Sequence, residues 1–221
     1  MPKIVDWDAR RDEILSATWR VIARDGITGA TIRAIAREAN CSRGILAHYF
    51  DDKADILGSA LVMSHRRVVA RMNARADGLT GLAALRVVML EALPLDGQRL
   101  LEAQVEMAFL SLAVGNDGLR QLHTEEFERF WDVLHYRVGE AQKLGQIPPG
   151  ADPTDITHEL VILVEGLSQE AVLYPTRATP ARQCQTLTAV LDRIAAPAGG
   201  DAAGRRGSRP RAAAQVPAAR G

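Results

Sequence analysis

An all-α fold is what this sequence predicts, on three observations. Apolar residues recur at helical spacing along most of the chain. No run alternates β-branched and polar residues as a half-buried strand does. Clusters of Gly, Pro, Asn and Asp interrupt the helical windows and leave about nine helices.

The first helix starts near Asp8, with Asp6 or Asp8 as its cap, and stops at Gly26, the usual helix-ending residue. Ile14, Ala17, Val21 and Ile22 share one of its faces. A short helix follows Thr31 and ends at Ala39-Asn40, and a second runs from Ser42 to Tyr49. The turn between them needs a left-handed residue, a demand that Asn40 meets at least cost after glycine. Ser42 then caps the second short helix. A long helix begins around Asp52 and runs to about Ala76, with Ile56, Leu57, Ala60 and Leu61 inward and Asp51, Asp52 and Asp55 at its electropositive start. Five more helices are expected over roughly 80–93, 97–115, 117–144, 153–173 and 179–195, each bounded by Gly, Pro or Asn clusters. Beyond residue 195 no apolar period survives, and the Arg/Ala/Gly/Pro composition predicts a disordered tail.

The chain has 221 residues, of which 47 % are hydrophobic and 24 % charged. This ordinary usage excludes wholesale disorder, collagen-like repeats and a histone-like basic protein. Its 27 basic and 27 acidic groups sum to zero, but the sum hides segregation. Residues 1–55 hold nine of each sign, residues 56–194 a net −4, and residues 195–221 a net +4. The basic tail is expected to attract polyanions without sequence preference. The expected organisation is a head over 1–55, a larger helical domain over 56–195 and the tail over 196–221. Cys41 and Cys184 are too few and too far apart in sequence for a disulfide framework or metal site, and read as small apolar side chains in a reducing compartment. The N-terminal stretch lacks a signal-peptide apolar region, and no window has the roughly 18 apolar residues of a membrane helix, so a cytoplasmic protein with no membrane partner is expected.

Residues 28–57 carry the clearest chemistry. The second short helix is too short to stand alone, and a short helix held by its neighbours with its N-terminus projecting suits insertion into the DNA major groove. Thr31, Ile35-Ala36, Ser42-x-Gly44, His48-Tyr49-Phe50, Lys53 and Leu57 stand at fixed spacing. Over residues 31–57 this pattern resembles the DNA-binding head of the TetR (tetracycline-repressor) family, and the helix count extends the resemblance over 8–194. The resemblance implies that Thr31 and the free N–H groups behind it hold a phosphate. It implies that Ser42, Arg43, Gly44 and Ile45 open the recognition helix, Arg43 reading a guanine and Gly44 permitting close approach. His48, Tyr49 and Lys53 would touch the DNA backbone, and Arg33 and Arg37 would add electrostatic grip. Two positions depart from the family pattern. Asn40 stands where glycine is usual, and Ala47 stands where a larger, often aromatic, residue reaches the backbone, so that this contact is lost or shifts to His48 or Tyr49. Each residue also has a plainer role: Ser42 as a cap, Arg33 and Arg37 as solvated face, and Ile35, Leu46 and Phe50 as core.

In the larger half, the segments ALPLDGQRLLEAQVEMAF, LHTEEFERFW and VEGL resemble the C-terminal domain of regulators similar to the choline-responsive repressor of betaine synthesis. That resemblance implies a small-molecule pocket. The candidate lining is Met63, Met89, Glu106, Phe109, Phe127, Phe130, Trp131, His135 and Glu165, whose aromatic faces and carboxylates suit a cationic amine such as a quaternary amine or polyamine. Phe127, Phe130 and Trp131 read equally as core, and Glu125, Glu126 and Glu128 as a solvated face. Leu160, Val161, Ile162, Leu163, Val164 and Leu167 make the 153–173 helix apolar nearly all round, and Cys184, Leu187, Leu191 and Ile194 form a coiled-coil-like seam. Together Leu160, Leu163, Leu167 and this seam are expected to join two copies, unless both helices only close the monomer core.

No HExxH, Cys-x-x-Cys, P-loop, GxGxxG or GxSxG spacing occurs, and His123 with Glu126 lacks a third metal ligand. No enzyme activity, cofactor or metal is therefore expected. The expected function is a ligand-responsive DNA-binding transcriptional repressor that binds a palindromic operator as a dimer and is released by a small-molecule effector. The alternative is a helical interaction or scaffold protein without specific DNA readout.

Overall fold

The computed structural model describes residues 7–195. The tail over 196–221, and Asp6 as a cap, lie outside them. Among the described residues there are nine helices and no strand. They are α1 (Trp7–Gly29), α2 (Ile32–Glu38), α3 (Arg43–Tyr49), α4 (Lys53–Ala76), α5 (Gly81–Ala92), α6 (Gly97–Ala113), α7 (Asp117–Lys143), α8 (Pro153–Leu173) and α9 (Pro180–Ala195).

Short-range chemistry sets most helix starts. Thr31 accepts from the Ala34 amide at 3.1 Å, Ser42 from Ile45 at 3.2 Å and Asp52 from Asp55 at 2.8 Å. Each bond satisfies one of the free N–H groups that open a helix. Asp96, Asn116 and Asp152 do the same for α6, α7 and α8. Asn40 adopts φ 49 in the α2–α3 turn, the left-handed conformation the turn requires. Gly26 takes φ 68, but α1 kinks there and adds a last turn through Gly29 rather than ending.

α1–α3 and the first half of α4 share one core, built on Ile14, Ala17, Trp19, Val21, Ile35, Leu46, Phe50, Ile56 and Ala60. The Trp19 indole donates to the Ala60 carbonyl at 3.1 Å, tying α1 to α4. This core does not stop at the head. Val105 of α6 is buried in it, with Leu101, Ala108 and Leu112 packed beside it.

The body core gathers Met72, Leu85, Val88, Met89, Leu134, Val138, Leu160 and Val161. α5 packs against α4 and α7, α8 against α6 and α7, and α9 against α5 and α8. The seam expected to join two copies turns inward. Leu187, Leu191 and Ile194 are 0 %, 3 % and 8 % exposed and belong to the body core, as do Leu160 and Leu167, while Leu163 packs against it and Cys184 is half-buried. Packing on α5 and α8 removes Leu187, Leu191 and Ile194 from water within one protomer, while Leu163 and Cys184 keep partial exposure. α8 is also less uniformly buried than its composition implies, since Ile162 is 53 % and Leu173 49 % exposed.

Candidate DNA interface and body cavity

In the head, Leu46 and Phe50 are the anchors of α3, at 1 % and 4 % exposure. Their burial turns Ser42, Arg43, Gly44, Ile45 and His48 to solvent. A Cβ added at Gly44 would meet only the Ser42 hydroxyl, at 3.7 Å. The interior therefore does not require glycine there, and the open side is the outward one.

The neutral charge of the head divides unevenly in space. Glu13 pairs with Arg10, Asp25 with Arg24 and Asp55 with Arg11, while Glu38 takes both Arg20 and Arg24. Every arginine in those pairs lies on α1. The side chains of Arg33 and Arg37 on α2 and of Arg43 on α3 are exposed and form no hydrogen bond or ion pair among the described residues, although the Arg37 charge also acts on Asp25. The uncommitted positive charge thus lies on the two short helices.

Thr31 is exposed, and its oxygen serves as the α2 cap. The Lys53 ammonium donates to the Ile27 carbonyl at 3.3 Å, which leaves two of its three N–H groups for another acceptor. His48 and Tyr49 sit against Trp7, with ring centroids 4.9 and 4.2 Å away. Sequence reasoning passed over Trp7; an aromatic residue at the first position of α1 was the available signal.

The body contains a cavity of about 560 Å³ walled by α4, α6, α7 and α8, with Ala92 at the end of α5. Volumes of roughly 300–1,000 Å³ are typical of small-molecule sites. Of the expected lining, Glu106, Phe127, Phe130 and Glu165 are on its wall. Met63 is instead packed into the head core, Met89 into the body core, and Phe109 into a small cluster with Leu61 and Leu119. Trp131 packs on the body core, and the His135 ring faces the Thr157 hydroxyl at 3.3 Å, both away from the cavity. These apolar groups went to closed cores because the helix faces that carry them pack directly on other helices.

Polar residues missed from the sequence hold the cavity together. Glu106 of α6 accepts from His65 of α4 at 2.7 Å and from His123 of α7 at 2.8 Å. Burial alone would push the Glu106 carboxyl up, but the two imidazoles outweigh it and hold it down at about 2. Burial would likewise pull His65 down, but Glu106 and then Glu126 raise it above its ordinary value. Glu126 is not on a solvated face. It is 4 % exposed, bonded to Arg129 at 2.6 Å and 3.9 Å from the second nitrogen of His65. Glu102, 6 % exposed, takes both ends of the Arg71 guanidinium at 2.8 and 2.7 Å. No group of three or more His, Cys, Asp or Glu suited to a metal ion occurs among the described residues.

α6 has two working faces. Glu102, Glu106 and Leu110 look into the cavity, while Leu101, Val105, Ala108 and Leu112 pack on the head core. α4 is divided along its length instead: Ile56, Leu57, Ala60 and Met63 belong to the head core, and Ser64, His65, Val68 and Val69 to the cavity wall.

Comparison with known proteins agrees with this architecture. Residues 14–60 match the family described as bacterial regulatory proteins of the tetR family, and residues 81–196 match the C-terminal domain of BetI-type transcriptional repressors. The HTH-type transcriptional regulator PksA of Bacillus subtilis is 34 % identical over 185 residues, covering 82 % of this chain and 88 % of that protein. A transcriptional regulator from Rhodococcus sp. Rha1 superposes with a TM-score of 0.74 at 25 % identity, over 83 % of this chain and 95 % of that one. A putative regulator from Saccharomonospora viridis, solved in complex with choline, superposes at 0.77 with 23 % identity, over 84 % and 96 % of the two chains. No helix among the described residues is long and apolar enough to cross a membrane. With a helix-turn-helix head on a helical body that encloses a cavity, and with family matches over both parts, the chain belongs to the TetR family of transcriptional regulators, its C-terminal domain being of the BetI repressor type.

Proposed function

We propose that this regulator binds a palindromic operator as a homodimer and is released from it by a small cationic amine that enters the body cavity. The carrying observation is that α4 and α6 each touch both the head core and the cavity wall. A ligand between them cannot reposition either helix without moving the head, which is the two-state coupling that an effector-released repressor needs. On the DNA side, α3 inserts with Arg43 toward a guanine edge and Ile45 toward the groove, while Thr31, Tyr49, His48 and Lys53 meet backbone phosphates and Arg33 adds positive potential. The uncommitted arginines of α2 and α3 support this placement.

A second copy is required for two-fold readout. The face we assign to it is the outward stripe of α8, where Ile162, Gly166 and Leu173 are all exposed and lie off the cavity wall. A Cβ added at Gly166 would meet nothing within 4 Å, so a partner helix can approach closely there. The body's net negative charge and the carboxylates on the cavity wall favour a cationic effector over an anionic one.

The test is a gel shift with the protein's own promoter region across a salt series. A specific, salt-sensitive shift is expected, and its absence rejects the DNA reading. Arg43→Ala should weaken specific binding by about 1–3 kcal/mol while leaving non-specific binding nearly unchanged. Equal loss of both refutes base readout by Arg43. A thermal-shift screen addresses the effector: stabilisation by neutral or anionic compounds alone rejects the cation.

A further inference from the structure

The charged side chains of the cavity wall are nearly all paired within the protein. Arg99 is bonded to Asp96 at 2.8 Å and to the Leu90 carbonyl at 2.9 Å, and Glu102, Glu106 and Glu126 are occupied as described above. Glu165 of α8 differs. It sits at the solvent-open part of the cavity wall, at an exposed position of α8, and its side chain makes no hydrogen bond or ion pair among the described residues. Partial burial raises its carboxyl above the ordinary value; His123 opposes the rise, Glu106 adds to it and His158 opposes it more weakly. A carboxylate that is partly desolvated and unpaired is stabilised by any cation placed beside it. Ser168, one helical turn further along α8, adds a hydroxyl to the same wall.

The aromatic groups decide which cation. A quaternary ammonium has no N–H and spreads its charge over carbon, so tight recognition depends on several aromatic faces closing around it. Phe127 and Phe130 are the aromatic rings of Phe, Tyr or Trp type on this wall. Phe127 already has ring neighbours, His123 stacked at 6.4 Å between centroids and Trp131 tilted at 6.4 Å. Phe130 is packed against the body core. Two phenyl rings on the α7 side of the wall do not surround a cation. Hydrogen-bond acceptors, together with the apolar surface of Val68, Val69 and Val164, are what the cavity offers.

We propose that the cavity selects an amphiphilic amine that carries N–H, that is a protonated alkylamine rather than a quaternary ammonium, with Glu165 accepting from the ammonium and the alkyl body lying on the valine-lined wall. A protonated amine donates a charge-assisted hydrogen bond that its trimethylated analogue cannot, and the analogue would also hold its charge further from the carboxylate.

This inference rests on the body cavity being the effector site, and its test separates the two claims. Calorimetric titration of the full chain with octylamine, octyltrimethylammonium and octanol reads the ligand class without DNA. Octylamine is expected to bind at least tenfold more tightly than either analogue. Glu165→Gln should remove that preference, whereas Glu128→Gln, at an exposed position of α7 off the cavity wall, should leave it intact. Equal or tighter binding of the trimethyl compound, no octylamine binding up to millimolar concentration, or an unchanged preference in Glu165→Gln overturns the proposal. A Glu165→Gln chain that loses its dimer but keeps the amine preference overturns it too, because Glu165 would then serve the α8 contact. Octylamine that binds through Glu165 without releasing operator DNA leaves the ligand class standing and rejects the cavity as the effector site.

Discussion

Glu106→Gln removes the carboxylate that His65 and His123 share. A carboxyl held at about 2 instead of its ordinary 4.5 is bound in its ionised form more tightly by about 3 kcal/mol, at roughly 1.4 kcal/mol per pH unit. The glutamine keeps the volume but loses the charge that both imidazole N–H groups point to, so most of that contribution should disappear. About 29 % of the Glu106 side chain is open, which makes 3 kcal/mol an upper value. For a protein of this length the loss corresponds to a fall in Tm of about 6–12 °C. The pH dependence has a definite sign. The native state holds Glu106 below its ordinary value, so its contribution is complete above about pH 4.5 and fades as pH falls toward about 2. His65 is raised, so its share is complete below about pH 6.5 and fades as pH rises through its native value. The gap between parent and variant should therefore be widest near pH 5–6. Urea denaturation of both proteins at pH 3.5, 5.5 and 8 measures it. A gap below about 0.5 kcal/mol at pH 5.5, or one that is the same at all three pH values, refutes the reasoning.

Two further perturbations test the fold. Asn40→Gly should be neutral or stabilising by up to about 1 kcal/mol in chemical denaturation, because φ 49 costs glycine nothing, and Asn40→Val should cost about 1–2 kcal/mol. If valine is tolerated, the turn does not need its left-handed residue. Leu187→Ala should cost about 2–5 kcal/mol by opening a cavity in the protomer core. Sedimentation should find the dimer affinity of the folded variant unchanged; a variant that simply dissociates would return the α9 seam to the interface.

The head was legible because its determinants are local. Thr31, Ser42 and Asp52 cap helices through bonds to the residue three positions ahead, and Asn40 answers a turn geometry confined to a few residues. Such bonds depend on short-range spacing, and spacing is what a sequence displays. The body was read less well. Met63, Met89 and Phe109 have the chemistry of a pocket lining, yet they fill cores. Glu126 has the chemistry of a solvated face, yet His65 and Arg129 from two helices make its burial tolerable. Trp7 shows the same limit at the head, since its stacking on His48 and Tyr49 joins residues some forty positions apart.

The amino-acid sequence by itself determined that the chain is helical, where its helices begin, and that α2 and α3 form a helix-turn-helix with Arg43 and Gly44 at its exposed start. Those outcomes follow from capping, turn stereochemistry and helical periodicity, each acting within a few residues. Only the tertiary structure decided which apolar stripe is core and which is surface, and which charges are spent on one another. α9 could turn its leucine seam to α5 and α8 or to a second copy with the same gain from burial per unit area, and packing within one protomer won. The chain's zero net charge likewise said nothing of Glu165. It became a candidate anchor because α4 and α7 brought hydrogen-bond partners to Glu102, Glu106 and Glu126 and none to it.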